Sequence, residues 1–278
     1  MLTQKRITGL LLALWVFYYG CSKDSPVAPP STERSAIATS IRFSHVNFAA
    51  SALDSLILTV TGEGVTQIHK SLTIEGTKAR TQLEVPADKV LIMSATGYQD
   101  TTAVLYGEQQ FTAEKGKVTS VTITLDFLVP TIILSPPDTT LQTGDQITIH
   151  LAARNVAEMA TFGAQVEFDP TTLKVVELGR VDAFLKTNHG SVMQLEFNND
   201  NEAGAVKAVL GIFPASAAVT GSGDIGEIVF EALQPDTTDI RIRIDNLQNS
   251  DLGLFDKNAD LMYSVGLGSR LYIQSNVQ

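Results

Sequence analysis

The chain has 278 residues, of which 44% are hydrophobic and 18% are charged. This supply of apolar side chains can fill one large core or two ordinary cores, and it argues against a disordered chain. The formal net charge of −10 argues against a nucleic-acid-binding protein, because such proteins need clustered cations to displace counterions from phosphates.

The first predicted element is a signal peptide over residues 1–20. Lys5 and Arg6 make the N-terminal region positively charged, and residues 7–19 form an apolar run. That run is short for a membrane-spanning helix, which needs roughly 20 apolar residues. We therefore expect the chain to be exported rather than to span the membrane through this segment.

The predicted signal peptide ends at Gly20, directly before Cys21, the only cysteine of the chain. The pair resembles the end of a bacterial lipobox, with Tyr18 standing where that motif usually has Leu. The resemblance implies that the Cys21 thiol carries a diacylglycerol and anchors the chain to the outer membrane or cell surface. An ordinary signal peptide with an incidental cysteine is the alternative.

Residues 21–37 are predicted to form a tether. The stretch Ser22–Ser35 contains three prolines and almost no apolar side chains. Proline favours extended polyproline II, so a segment of this length can reach on the order of 40 Å, at about 3.1 Å per residue. We expect it to hold the folded part away from the membrane.

Residues 38–128 predict a small antiparallel β-sandwich, because short runs of alternating apolar and polar residues are separated by Gly, Pro, Asn or Asp. The runs Leu83–Pro86 and Val90–Tyr98 resemble the hairpin of regulatory-like or PEGA-like β-sandwich domains of bacterial surface proteins. Asp88 stands where those families usually have glycine. The resemblance implies a spacer or adhesion module.

Residues 129–276 predict a second, larger sandwich. In the run Phe162–Pro170, Phe162, Ala164, Val166 and Phe168 alternate with polar or small residues, which predicts a strand with one buried face. Asp169 and Pro170 then predict a turn. The near-continuous apolar run at residues 205–214 predicts a central strand that is covered on both faces.

Five pieces of this second half, in order, resemble the cohesin domain, a jelly-roll sandwich whose fold is shared with carbohydrate-binding modules. The pieces are Thr143-Gly144-Asp145, Asn155-Val156, the Phe168-Asp169-Pro170 turn with Leu173 and Val175, the glycine-rich run Gly221–Phe230, and a hairpin around Asp256. The resemblance implies a non-catalytic module that docks dockerin modules of polysaccharide-degrading enzymes on a flat sheet face.

Polar residues at and beside the predicted sheet are the candidate contacts for a partner. They are Gln165, Glu167, Asn198, Asn199 and Asp200. Dockerin-binding cohesins carry an Asn and an Asp on the outward face of the strand before the Asp-Pro turn. The matching residues here are Thr161 and Gly163, so the expected polar hub is missing from this strand.

No motif predicts catalysis, a metal or a cofactor. Asp256, Asn258 and Asp260 have the spacing of the first half of an EF-hand loop, but Leu261 and Leu267 occupy the Gly and Glu positions, so a polar hairpin tip is favoured. The four histidines are too far apart in sequence for a local metal site. A Gly-x-Ser-x-Gly elbow, a P-loop and a dinucleotide fingerprint are all missing from the sequence.

Three functional hypotheses follow. The chain docks a dockerin-like protein, it binds a polysaccharide directly, or it is a structural envelope or adhesion lipoprotein with no soluble ligand. A glycan platform needs exposed aromatic rings, for which Tyr263 and Tyr272 are the candidates, because the only tryptophan, Trp15, lies in the predicted signal peptide.

Overall fold

The structure is a computed structural model that describes residues 34–43, 53–75 and 78–276. The predicted signal peptide, Cys21 and most of the predicted tether lie outside the described residues. Within the described ranges, no helix combines the length and the hydropathy that crossing a membrane requires. By their contacts, residues 33–278 form one compact unit.

The first half of this unit is a β-sandwich built from eight strands. They are β1 (Arg34–Phe43), β2 (Ser55–Gly62), β3 (Ile68–Leu72), β4 (Ile74–Glu75), β5 (Lys78–Pro86), β6 (Val90–Gln99), β7 (Thr102–Thr112) and β8 (Thr119–Phe127). The order β3-β2-β6-β7 continues into β8-β1-β5-β4 through a two-residue contact between β7 and β8. Alternate side chains of both halves fill one core, as period-two patterning requires.

Two details of the first sandwich differ from the sequence-based expectation. Strand β1 begins at Arg34 and buries Ser35 and Ile37, so the last residues of the predicted tether belong to the sheet. Strands β5 and β6 lie in different halves and do not form the hairpin that the PEGA-like resemblance implies. Between them, Asp88 has a φ of 55°, the left-handed conformation that a glycine adopts more easily.

The second half is also a β-sandwich, so the all-β prediction with two sandwiches is confirmed. Its strands are β9 (Thr131–Ser135), β10 (Asp138–Gln142), β11 (Gln146–Glu167), β12 (Leu173–Arg180), β13 (Ser191–Asp200), β14 (Ala205–Phe213), β15 (Val219–Ala232), β16 (Asp236–Arg243), β17 (Leu254–Asp256), β18 (Leu261–Met262), β19 (Val265–Leu267) and β20 (Ser269–Gln274). A short 3₁₀ turn, Ala215–Ala217, connects β14 to β15.

The long strand β11 contributes to both layers of this sandwich. Its N-terminal half pairs with β9 and β15, and its C-terminal half pairs with β14, β16 and β17. Between the halves the register with β15 shifts, and Asn155 and Glu158 have φ angles of 53° and 54°. These left-handed residues bend the strand from one layer into the other.

The core of the second sandwich follows the predicted alternation. Phe162, Ala164, Val166 and Phe168 are all buried, and the Phe168 ring packs edge-on against Phe230 at 5.1 Å between centroids. After the strand, one carboxylate oxygen of Asp169 accepts hydrogen bonds from the Thr171 amide and hydroxyl at 2.8 and 2.7 Å. These bonds lower the pKa of Asp169 and close the predicted Asp-Pro turn.

Most ladders in both sandwiches are antiparallel, but three are not. Strands β1 and β8, β9 and β19, and β10 and β20 pair in parallel. Each pair joins segments far apart along the chain. A short hairpin turn forces antiparallel pairing, but a long connection allows the two strands to pair in either direction. The local sequence pattern therefore does not predict the relative direction of such strands.

The two sandwiches share a buried apolar contact. Ile133, Ala152, Val265 and Leu267 belong to the second sandwich, yet they pack into the core of the first. The Gln99 side-chain amide also donates a hydrogen bond to the Gly266 carbonyl at 2.8 Å. As a result, part of one outer face of the second sandwich is covered by the first.

Candidate functional site

The predicted contact residues converge on the outward side of β13, β14, β16 and the C-terminal half of β11, which we call the docking face. One row across these strands is Asn198–Lys207–Gln165–Arg243, and the next is Asp200–Ala205–Glu167–Arg241. The structure thus brings Gln165, Glu167, Asn198 and Asp200 to one face. Asn199 pairs with the buried Val206 and therefore points to the other side of β13.

A charged bridge crosses the docking face. The Lys207 ammonium lies 2.6 Å from an Asp251 carboxylate oxygen and 2.9 Å from a Glu196 carboxylate oxygen. The hydrogen bonds that Lys207 donates to Asp251 first, and then to Glu196, raise the pKa of Lys207, and Lys207 in turn lowers the pKa of Asp251. The bridge ties the loop before β17 to β13 and β14.

That loop, residues 244–253, covers the position where the resemblance places an outward recognition residue. The Gly163 amide donates a hydrogen bond to the Gly253 carbonyl at 2.9 Å. A Cβ atom at Gly163 would lie 1.8 Å from the Asp251 carbonyl oxygen, so only glycine fits. Gly163 therefore lies on the outward face of β11, as its position in the alternation predicts, but the loop covers it.

Beside the covered glycine, the docking face carries three exposed large apolar side chains, which we call the apolar patch. Met193 is 52% exposed, Leu195 is 64% exposed and Phe213 is 65% exposed. Between Met193 and Thr161 lies Gly211, above which a Cβ would meet no atom within 4 Å. The patch is thus open, on a strand ladder that is interrupted by a bulge at Leu195.

Neither the apolar patch nor the charged bridge was predicted from the sequence. The run at residues 205–214 was expected to be covered on both faces, but Phe213 at its end is exposed. Alternation along one strand shows which side chains share a face, but it does not show which face the rest of the chain covers. Lys207 and Asp251 are distant in sequence, so no local motif predicts their contact.

The other polar motifs are used in local turns. Asp200 accepts hydrogen bonds from the amides of Glu202 and Ala203 at 2.9 and 3.0 Å. The Asn201 side chain bonds both the amide and the carbonyl of Val175, at 2.8 and 2.9 Å, and so holds β12. The polar loop after β13 therefore stabilises the fold, and one carboxylate oxygen of Asp200 is engaged in the turn.

The EF-hand-like stretch is also a turn. One carboxylate oxygen of Asp256 accepts hydrogen bonds from the amides of Asn258 and Asp260, at 2.8 and 2.9 Å, and these bonds lower the pKa of Asp256. This geometry agrees with a polar hairpin tip. Across the described part of the chain, no group of three or more His, Cys, Asp or Glu side chains is arranged to hold a metal ion.

Comparison with known families matches residues 132–257 to the cohesin domain. A non-cellulosomal cohesin from the archaeon Archaeoglobus fulgidus is 11% identical, with 53% of this chain and 92% of that chain covered and a TM-score of 0.41. A type II cohesin domain from the cellulosome of Acetivibrio cellulolyticus is 20% identical, with 51% and 94% covered and a TM-score of 0.40.

The cohesin–dockerin complex of Coh-OlpA and Doc918 from Clostridium thermocellum is a third similar structure. It is 19% identical, with 52% of this chain and 99% of that chain covered and a TM-score of 0.41. No curated protein sequence is significantly similar to the chain.

Proposed function

We propose, from the premise that residues 132–257 form a cohesin domain, that this chain docks a dockerin-like protein module through the docking face. The proposed role is non-catalytic: the sheet supplies a stiff, preformed surface, and the side chains on it supply specificity. The likeness to a cohesin captured with a dockerin supports this class of partner.

The apolar patch is the observation that carries the proposal. Protein interfaces bury an apolar centre within a polar rim, and exposed apolar clusters mark such sites. Met193, Leu195 and Phe213 form such a centre, and the Lys207 bridge with its neighbours forms a charged rim. The first sandwich covers part of the opposite sheet, and none of the three patch residues takes part in that contact.

Substitution of the apolar patch tests the proposal. We expect a chain of residues 22–278 to bind at least one module from a panel of dockerins in biolayer interferometry. Leu195→Asp and Phe213→Asp should each weaken that binding by roughly 30-fold or more, the size expected for a central interface contact.

The control is Val176→Asp, because Val176 is an exposed apolar residue on β12 in the other layer. It should leave the affinity unchanged, and circular dichroism should show all variants folded. The proposal fails if no dockerin binds, or if Val176→Asp weakens binding as much as the patch variants do.

We also propose that the chain is an exported lipoprotein, anchored through Cys21 to the outer membrane or cell surface and linked to polysaccharide degradation. The Gly-Cys pair after a charged start and an apolar run supports the anchor. We expect Cys21→Ala to move the chain from the membrane fraction to the soluble fraction. An unchanged distribution after detergent-free fractionation would contradict the anchor.

A second partner class is a polysaccharide that the chain binds directly. It is favoured by Tyr272, an aromatic residue that is 41% exposed on β20. A chain that bound neither a dockerin nor a glycan would instead fit the third hypothesis, a structural envelope or adhesion lipoprotein.

A further inference from the structure

A polar groove runs along the seam between the two sandwiches, beside the β16 end of the docking face. One part has a volume of about 550 Å³ and lies between Asp54 and Asp100 of the first sandwich and Asp239 and Arg241 of the second. An adjoining part of about 430 Å³ shares Asp54 and extends to Tyr272. Clefts between domains are frequent sites of small-ligand binding.

The wall on the second sandwich is a strand ladder with an uninterrupted register. Asp138, Arg270 and Asp239 form one row across β10, β20 and β16, and Tyr272 lies in the next row. The Arg270 guanidinium holds Asp239 through two hydrogen bonds of 2.6 and 3.0 Å. Paired bonds of this kind fix both side chains, so the wall needs little reorganisation when a ligand binds.

Two hydrogen-bonding groups that line the groove, one on each sandwich, are unused among the described residues. The Asp100 amide bonds the Asp54 carboxylate, which positions the turn between β6 and β7. The Asp100 carboxylate itself and the Arg241 guanidinium make no hydrogen bond with any residue that the structure describes. One wall therefore offers a free acceptor, and the other offers free donors.

The chemistry of these walls selects the ligand. Four aspartates, Asp54, Asp100, Asp138 and Asp239, outnumber the two arginines, so the groove disfavours phosphates, uronates and other anions. A hydroxyl group both donates and accepts, so it can satisfy a carboxylate and a guanidinium at once. The half-exposed Tyr272 ring at one end offers a flat apolar surface for the face of a sugar ring.

We propose that this seam groove binds a neutral oligosaccharide. The proposal rests on the second partner class proposed for this chain, a directly bound polysaccharide, and names the place where it would bind. The groove and the apolar patch share no residue, although Arg241 lies both in the groove and in a row of the docking face. A glycan at the seam would therefore leave the apolar patch uncovered.

Isothermal titration calorimetry on residues 22–278 tests the proposal, with cellohexaose, xylohexaose and mannohexaose as neutral probes and hexagalacturonate as the anionic probe. At least one neutral probe should bind, and the anionic probe should not. Tyr272→Ala and Asp100→Asn should each weaken the affinity by about tenfold, the effect of losing one stacking or hydrogen-bonding contact.

Tyr263→Ala is the matched control, because Tyr263 is an exposed tyrosine of the same sandwich that does not line the groove. It should bind the sugar as the unmodified chain does, and so should Leu195→Asp. The groove proposal is wrong if no neutral probe binds at millimolar concentration, if hexagalacturonate binds more tightly, or if Tyr263→Ala loses as much affinity as Tyr272→Ala. None of these outcomes bears on dockerin binding, so the two proposals fail separately.

Discussion

Replacing Gly163 with valine is expected to lower the free energy of unfolding by about 3 kcal/mol, at the upper end of the usual cost of overpacking. The new Cβ would lie 1.8 Å from the Asp251 carbonyl oxygen, so the loop at residues 244–253 must move. That movement also breaks the hydrogen bond from the Gly163 amide to Gly253. Urea denaturation followed by circular dichroism measures the loss.

Gly211→Val is the control, because Gly211 lies on the same face of the neighbouring strand β14. A Cβ there meets nothing within 4 Å, and valine suits a strand better than glycine does. We expect this variant to be at least as stable as the unmodified chain. If the two variants lost equal stability, the cost would come from removing glycine from a strand, and the loop would not be the cause.

The same pair of variants also tests whether the loop at residues 244–253 contributes to partner binding. Displacing the loop pulls Asp251 away from Lys207, which would then keep only Glu196 as an ionic partner. If the loop forms part of the rim, Gly163→Val should weaken dockerin binding even at temperatures where the variant remains folded. In this chain, loop backbone occupies the position where the family resemblance places polar side chains.

The layout of the strands was largely predictable from the sequence, because the alternation of apolar residues encodes which side of a strand is buried. Phe162, Val166 and Phe168 illustrate this, since each is buried as its pattern predicts. The Asp169 turn was predictable for a similar reason, because its hydrogen bonds are made within three residues.

What the sequence could not show are contacts between segments that are distant along the chain. The covering of Gly163 depends on a loop that follows β16, and the exposure of Phe213 depends on nothing packing over β14. The seam groove is a still clearer case, because Asp100 and Arg241 come from different sandwiches. Such contacts arise from tertiary packing, and the alternation of apolar and polar residues along a strand does not predict them.

Replacing Leu267 with alanine is expected to cost about 3 kcal/mol of folding free energy, within the range for a fully buried leucine. Leu267 belongs to β19 of the second sandwich, yet its side chain is fully buried in the core of the first. The cavity would therefore lie at the contact between the two sandwiches. Leu195→Ala, at an exposed site, should change the stability by less than about 0.5 kcal/mol.

The shape of the denaturation curve makes this test sharper. Because Ile133, Val265 and Leu267 join the two cores, we expect the unmodified chain to unfold in a single transition. Leu267→Ala should broaden the transition or split it in two, since each sandwich would then unfold more independently. Two separate transitions in the unmodified chain would show that the cores are not coupled. A single transition would mean that the first sandwich fixes the orientation of the docking face, and is not merely a spacer on the way to it.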